Sequence, residues 1–334
     1  MSTEKILLAH GSGGRQMRKL VEKITSKYFA NPILMKMNDF AEIETGSKTI
    51  VSTDSFVVKP YLFPGGDIGK LAVCGTVNDV ACSGAQVKYL TLALIIEEGF
   101  GMEALERICM SIQRTADEAG VIIITGDTKV VEHGAADGLY INTTGIGVMK
   151  NDVQIGGEYV HPGDKIIING NIGDHEAAIL GSREGLSFQT PTVSDCAPLN
   201  NMVSELLAQC DSVRCMRDPT RGGVATALNE IARQSGVGIR IDEAALPVDQ
   251  SVLGTCELFG MDPLYMANEG KMLFFVAADE AEKAVAVLRN NKYGRNAAMI
   301  GQAAHGRPDV VLKTVIGSSR IVDELAGEML PRIC

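Results

Sequence analysis

Tryptophan is absent from the 334-residue sequence, and aromatic residues make up only 5% of it. A chain with so few aromatic rings has few platforms on which nucleic-acid bases can stack. Basic residues are also in the minority, because 31 lysines and arginines face 41 aspartates and glutamates and leave a formal charge of -10. Such a chain repels a phosphate backbone unless its basic residues form one patch, and no patch is visible. We therefore expect no nucleic-acid partner.

Long apolar runs are missing as well. The apolar stretches, such as residues 92–96, are far shorter than the roughly 20 residues needed to span a bilayer. The first residues lack both the apolar core and the small-residue cleavage site of a secretory signal. We expect a cytoplasmic protein with no membrane partner.

Eight cysteines are present, and no two of them form a Cys-x-x-Cys pair of the kind that binds zinc or carries out redox chemistry. Most are expected to be small buried side chains. Cys334 differs because it is the last residue. Pro331 stiffens the backbone before it, while Gly317 and Gly327 permit movement, so residues 317–334 are predicted to form a mobile tail.

Hydrophobic residues make up 46% of the chain, enough for about two domains of α/β character. Strand-like and helix-like segments alternate in each half. The clearest helix follows Met102, with one apolar face and Gly120 at its end. The predicted organisation is a glycine-rich segment and helix in 1–40, an N-terminal domain in 41–155, a C-terminal α/β domain in 156–316, and the tail.

Four aspartates stand where strands end or helices begin, and they are Asp54, Asp67, Asp79 and Asp127. Magnesium that binds with a nucleotide takes a few carboxylates together with phosphate oxygens and water. The alternative is that each aspartate caps a helix or shapes a turn, and for Asp67 the two interpretations weigh equally. The other three have apolar surroundings in which an unpaired carboxylate is costly, which favours a metal site.

Two glycine-rich stretches have the composition of phosphate-binding loops. Residues 10–14 and 217–223 each lead towards a probable helix, where free backbone amides attract anions. The predicted contacts to the nucleotide are Gly11, Ser12, Gly13, Gly14, Asp67, Lys129, Arg217 and Arg221. Residues 64–71 only superficially match a P-loop, because Pro64 and Leu71 stand at positions that require glycine and a hydroxyl residue.

Seven motifs together resemble the carbamoyl dehydratase family of NiFe-hydrogenase maturation. They are AHGSGG, STDSFVV, FPGGDIGKLAVCGTVNDVACSGA, TGDTKVV, RDPTRGGV, ANEGK and the terminal PRIC. The resemblance runs from Leu8 to Cys334. NDVACSGA and GDT alone indicate only the wider superfamily that resembles aminoimidazole ribonucleotide synthetase, whereas PRIC is specific.

The resemblance implies a two-domain fold with mixed α/β sheets and a homodimer formed through the N-terminal sheets, with ATP in the cleft at that pairing. It implies that a carbamoyltransferase loads the thiol of Cys334 and that ATP activates the carboxamide. Loss of phosphate then leaves a thiocyanate, and the cyano group passes to iron on a scaffold complex of two further maturation proteins.

That chemistry assigns expected roles to particular residues. Lys129 is the candidate cation near the γ-phosphate, with a solvated surface lysine as the alternative. Asp218 is expected to join the metal site from the second domain, and Arg217 and Arg221 to contact anionic oxygens, unless they form structural ion pairs. Arg332 is a candidate to activate the thiol.

Dehydration also needs a base, for which a carboxyl with a raised pKa is suited. Glu269 in ANEGK is the leading candidate, and the alternative is a loop glutamate paired with Lys271. His175 is the second candidate, although a lone histidine is more often a structural hydrogen-bonding group.

Two other functions stay open at this point. One is ATP-dependent activation of a free small molecule, as in selenophosphate synthesis, which usually brings a reactive cysteine near the N-terminal glycine loop. The first cysteine here is Cys74, which argues against it. The other is a non-catalytic, ATP-responsive scaffold that only presents Cys334 to its partners.

Overall fold

The computed structural model describes residues 5–7, 20, 23–24, 26–32, 46, 48–149, 153–183, 192–324 and 332–334. Its N-terminal half contains β1 (Thr49–Phe56), β2 (Leu62–Phe63), β3 (Gly66–Asp67), α1 (Ile68–Ala81), β4 (Gln86–Glu97), α2 (Met102–Ala119), β5 (Ile122–Val131) and β6 (Leu139–Val148). Four of these strands form a sheet in the order β1-β6-β4-β5, in which only β4 and β5 are parallel. Helices α1 and α2 cover one face of this sheet.

The C-terminal half contains β7 (Lys165–Ile168), α3 (Asp174–Arg183), α4 (Asn200–Leu207), β8 (Val213–Arg217), α5 (Gly223–Ser235), β9 (Gly238–Asp242), α6 (Gln250–Phe259), β10 (Leu273–Val276), α7 (Ala281–Asn290), β11 (Ala298–Ala304), β12 (Val310–Lys313) and β13 (Ser319–Ile321). Its seven strands form one sheet in the order β13-β12-β9-β11-β7-β10-β8. β9 and β12 are parallel and the other pairs are antiparallel. The predicted α/β fold with mixed sheets is confirmed.

The amphipathic pattern after Met102 indicated α2 correctly. Its stripe at Leu105, Ile108 and Ile112 is fully buried, and the helix ends at Gly120 in the left-handed conformation with a φ of 69°. Glycine adopts that conformation without the steric cost that a Cβ imposes.

Helix α1 is buried on nearly all sides because it packs between the N-terminal sheet and the C-terminal half. Asn78 joins the two halves, since its amide donates to the carbonyl of Ala197 at 3.0 Å and accepts from the amide of Leu199 at 2.8 Å. The neighbouring Asp79 is thereby held at the junction of the two halves.

Seven of the eight cysteines are buried and all eight are free thiols, which confirms that most of them are buried side chains, although Cys82 is only partly buried. No helix in the described ranges is long and apolar enough to cross a bilayer. The predicted domain boundaries stay a prediction.

Candidate active site

The C-terminal residues 332–334 lie in a slot beside the chain that follows β1. The amide of Val57 donates to the carbonyl of Cys334 at 3.1 Å, and the amide of Lys59 donates to that of Arg332 at 3.3 Å. Ile333 and Cys334 are only 3% and 8% exposed. The end of the chain is thus docked, whereas the mobility expected for the tail stays a prediction.

His175 holds the docked tail through its backbone. Its Nε2 lies 2.9 Å from the carbonyl oxygen of Ile333, which only accepts, so Nε2 carries the proton. Its Nδ1 then accepts from the Ser194 hydroxyl at 2.8 Å. Burial lowers the pKa of His175, which keeps the ring neutral. Both nitrogens are engaged, so the geometry favours this holding role over that of the second candidate base.

The thiol of Cys334 faces a cation and a buried carboxyl. Nη2 of Arg221 lies 3.2 Å from its Sγ. Burial, reinforced by the charge of Glu269, raises the thiol pKa to about 12, and Arg221 acts in the opposite direction. Arg332, the cation proposed to activate the thiol, instead donates to the carbonyl of Val57 and pairs with Asp137. Arg221 is therefore the cation in contact with the thiol.

Glu269 is 3% exposed, and its Oε1 has no hydrogen-bond partner among the residues that the structure describes. A Cβ on Gly75 would lie 3.9 Å from its Oε2 and 2.9 Å from the ring of Phe56, so this wall of the pocket fits only glycine. Burial raises the pKa of Glu269 well above its usual range, and nearby Cys196 and Asp195 add to the effect. The alternative pairing with Lys271 is wrong, because Lys271 pairs with Asp195 at 2.8 Å.

Three of the predicted metal ligands approach one another at the junction of the two halves. Asp79 accepts from the Ser52 hydroxyl at 2.9 Å and shares a hydrogen bond with Asp218. Burial and then the charge of Asp79 raise the pKa of Asp218 to about 7. The charge of Asp54 on β1 contributes to the raised pKa of Asp79, for which burial is the main cause. Asp79 and Asp218 line a cleft of about 380 Å³, together with Arg217.

This pair of carboxyls fits a divalent cation. Two carboxyls that share a proton repel each other once both are ionised, and a bound cation removes that repulsion. No group of three or more metal-ligating side chains is already assembled in the described part of the chain. Magnesium in nucleotide sites takes only one or two carboxylates and fills its other positions with phosphate oxygens and water, so the pair is a sufficient protein contribution.

Asp127 and Lys129 lie away from the cleft that Asp79 and Asp218 line. They sit on β5, at the opposite edge of the N-terminal sheet from Asp54, and three strand spacings amount to roughly 14 Å. Their exposed side chains pair with each other at 3.1 Å. One chain therefore does not bring Asp127 together with Asp54, Asp79 and Asp218, and its part in the metal site stays a prediction.

The remaining candidates have structural partners. Asp67 caps α1 by accepting from the amides of Gly69 and Lys70, which confirms the helix-cap interpretation. Arg217 pairs with Glu230 at 3.0 Å. Gly11, Ser12, Gly13 and Gly14 lie outside the described residues.

Two residues at the site had no motif to reveal them. Asp195 accepts from the amides of Glu269 and Gly270 at 3.1 and 3.2 Å, and from Lys271. Ser194, its neighbour, fixes His175. The signal available was an acidic residue next to the apolar Cys196 and Ala197, which does not say where its partners are.

Residues 36–149 match the N-terminal domain of the AIR synthase related proteins, and residues 161–313 match their C-terminal domain. A mixed four-stranded sheet and a mixed seven-stranded sheet, joined at an acidic cleft, place the chain in this class. A narrower relationship is equally clear. The chain is 48% identical over 329 residues to the carbamoyl dehydratase HypE of Azotobacter vinelandii, covering 98% of this chain and 96% of that protein.

Solved structures agree with this relationship. A crystal structure of the hydrogenase maturation protein HypE in complex with ATP is 46% identical, with a TM-score of 0.95, and the match covers 98% of this chain and 99% of that one. A HypE-HypF complex contains a chain that is 46% identical, with a TM-score of 0.81, over 93% of this chain and 100% of that one. The chain belongs to the HypE family of carbamoyl dehydratases.

Proposed function

We propose that this protein uses ATP to dehydrate a carbamoyl group carried on Cys334, and that the resulting thiocyanate supplies the cyanide ligand to the iron of a NiFe hydrogenase. The observation that carries the proposal is the docked C-terminal thiol, which is buried beside Arg221 and Glu269, whose Oε1 has no hydrogen-bond partner in the described part of the chain. The HypE structure with ATP supports the nucleotide.

The reaction needs ATP because an amide oxygen is a poor leaving group. Transfer of the γ-phosphoryl group to the carboxamide oxygen forms a P–O bond and releases ADP. The C–O bond then breaks, the oxygen departs with phosphate, and the nitrogen loses both protons as the C≡N bond forms. The atoms of one water are thus removed without free water as a product.

Glu269 is suited to accept one of these protons. Its Oε1 is buried without a partner among the described residues, so it is free to accept from an N–H group placed on Cys334. Burial raises its pKa and makes its carboxylate a stronger base. Arg221, within reach of the thiol, is placed to stabilise negative charge on the activated oxygen.

Asp79 and Asp218 would hold magnesium, with Asp54 nearby on β1. The metal supplies positive charge that neutralises the phosphate oxygens during transfer. Arg217 lines the same cleft and its charge lowers the pKa of both carboxyls, so it can contact anionic oxygens there.

A homodimer would give Asp127 and Lys129 a place in this chemistry. The face of the N-terminal sheet away from α1 exposes apolar side chains, Val51 at 61% and Ile95 at 42%. Ile95 is the strand neighbour of Lys129. If two copies pair through this face, Lys129 of each lies at the interface, where the family resemblance expects ATP.

The Cys334 thiol has to receive a carbamoyl group and later give up a cyano group, and each of these transfers needs a partner protein. Cys334 is only 8% exposed and cannot enter another active site from this position, so the tail must leave its slot to be loaded. The HypE-HypF complex supports a carbamoyltransferase as the loading partner. An iron-carrying scaffold complex of two further maturation proteins is the proposed acceptor of the cyano group.

The proposal is tested by mass spectrometry of the C-terminal peptide. Carbamoylated protein incubated with ATP and magnesium should lose the mass of one water from that peptide. Consumption of ATP without this loss would instead support a scaffold or an enzyme that acts on a free small molecule. Cys256→Ser, which alters a buried cysteine far along the chain from the tail, is the matched control.

A further inference from the structure

The segment Ser194–Asp195 is linked by hydrogen bonds to both parts of the proposed reaction, the Cys334 tail and the loop that carries the base Glu269. Through Ser194 it reaches the tail, because the Ser194 hydroxyl orients His175, and His175 donates to the carbonyl of Ile333 next to the thiol residue. Through Asp195 it reaches the base, because both carboxylate oxygens bind the backbone of the Glu269 loop. The two contacts come from adjacent residues of one short stretch of chain.

We propose that Ser194 and Asp195 are positioning residues that hold the Cys334 tail and the Glu269 carboxyl in the relative position that dehydration requires. Neither touches the reacting atoms. Ser194 acts through His175 on the tail, and Asp195 acts through the loop backbone on the base. The proposal rests on the proposed function of Glu269 as the base.

The segment is rigidly anchored. The amide of Ser194 donates to the carbonyl of Pro64 at 2.9 Å. A Cβ on Gly65 would lie 2.7 Å from the carbonyl oxygen of Ser194, and one on Gly270 would lie 1.8 Å from that of Asp195. The backbones approach so closely that only glycine fits opposite each residue. A segment anchored in this way can keep the Cys334 tail and the Glu269 loop at a fixed distance from each other.

The hydrogen bonds of the two side chains leave little freedom. The Ser194 hydroxyl donates to Nδ1 of His175 and accepts from the amide of Cys196 at 3.2 Å. The Asp195 carboxylate accepts from two loop amides and from Lys271 at 2.8 Å, and both ionic side chains are buried. A buried pair of this kind fixes a unique geometry, and removing one partner disturbs it strongly.

The experiment uses two readouts, which separate the effect of Ser194 on the tail from the effect of Asp195 on the base. The rate at which a thiol reagent modifies Cys334 in the unloaded protein, measured on the C-terminal peptide, reports how firmly the tail is docked. The pH profile of single-turnover dehydration in the carbamoylated protein reports the state of the base. The charged and titratable groups that act on Glu269 or share its pocket are Asp54, Asp195, Cys196, Asp218, Arg221 and Cys334, and Lys271 and His175 act on Asp195 in turn.

Ser194→Ala should raise the modification rate of Cys334 roughly tenfold or more and leave the midpoint of the pH profile in place. Asp195→Asn should leave the modification rate unchanged, slow dehydration roughly tenfold or more, and move the midpoint to lower pH, because it removes a negative charge that raises the pKa of Glu269. Lys271→Gln, which removes the ammonium that pairs with Asp195 and leaves Ser194 in place, should slow dehydration and leave the modification rate of Cys334 unchanged. It serves as the second variant if Asp195→Asn does not fold.

Ser182→Ala and Asp164→Asn are the matched controls. Ser182 lies on the same helix as His175 and its hydroxyl donates to the carbonyl of Ala178 in that helix, while Asp164 is a buried aspartate that accepts from the amide of His161 and pairs with Arg214. The proposal would be overturned if Ser194→Ala and Asp195→Asn behaved like these controls. It would also be overturned if each variant changed both the modification rate of Cys334 and the pH profile of dehydration. If Glu269→Gln dehydrates at the normal rate, the base assignment fails, whereas the Ser194 result on tail docking still stands by itself.

Discussion

Nη2 of Arg221 lies 3.2 Å from Sγ of Cys334, so the thiol is docked against a cation that follows β8 in the C-terminal half, while the Cys334 carbonyl accepts from Val57 in the N-terminal half. Replacing Arg221 with methionine keeps much of the side-chain volume and removes the charge. We expect dehydration to slow by roughly tenfold to a hundredfold, since one donor to a developing oxyanion is lost. Single-turnover conversion of the loaded protein measures this. Arg233→Met, which breaks a surface pair with Glu324, is the control, and an equal loss in both variants would contradict the role.

Glu269→Gln keeps the shape of the side chain and abolishes the base. We expect ATP to bind normally and dehydration to fall by roughly a hundredfold or more, the usual contribution of a general base. ATP binding by calorimetry and conversion by mass spectrometry separate the two effects. Unchanged conversion would exclude Glu269 as the base and make His175 the next candidate, although both of its ring nitrogens have partners in the docked state.

The paired carboxyls Asp79 and Asp218 make the metal-free protein sensitive to pH. Because the folded protein raises the pKa of Asp218 from 3.8 to about 7, the folded state holds this proton more tightly than the unfolded chain does. Its contribution to stability is fully present below about pH 4 and is lost as the pH rises through about 7.

Asp218→Asn should therefore be more stable than the parent protein at pH 8 without magnesium, by about 1 kcal/mol or more, and the two should converge towards pH 4. Magnesium should stabilise the parent and leave the variant almost unchanged. Urea unfolding at both pH values, with and without magnesium, measures this. A parent protein whose stability does not respond to magnesium at pH 8 would contradict the metal site.

The position of the thiol at the end of the chain can be tested by lengthening the chain. Cys334 is buried, and its carbonyl accepts from Val57, so residues added after it would have to be accommodated at a buried position. We expect Cys334→Ala to abolish carbamoyl loading and a short C-terminal extension to impair both loading and dehydration. Normal function of the extended protein would exclude threading of the tail.

Local motifs predicted much of the site, and tertiary pairing accounts for what they missed. Glu269, Asp79 and Cys334 stand in short stretches whose chemistry can be recognised from the sequence. The order of strands cannot be read from such stretches, so the sequence does not show that Asp127 and Asp54 occupy opposite edges of one sheet. Lys271 is two residues from Glu269 yet pairs with Asp195, 76 residues away, and the fold that brings Asp195 to this loop cannot be read from the local sequence.

The fold followed from periodicity where one face of an element is buried, as in α2. Periodicity was less informative for α1, which is buried almost all round and therefore has no apolar stripe. Asp67 shows a further limit of the sequence, since an acidic residue after two glycines fits a helix cap and a metal ligand equally well, and the structure contains the cap.

The central claim is that the oxygen of the carbamoyl group leaves Cys334 attached to phosphate. Loading the thiol with a carbamoyl group that carries an oxygen isotope label, adding ATP and magnesium, and measuring the mass of the released inorganic phosphate tests it most directly. The account predicts one labelled oxygen in phosphate for each thiocyanate formed on the C-terminal peptide. Unlabelled phosphate, with the label released into water, would contradict it.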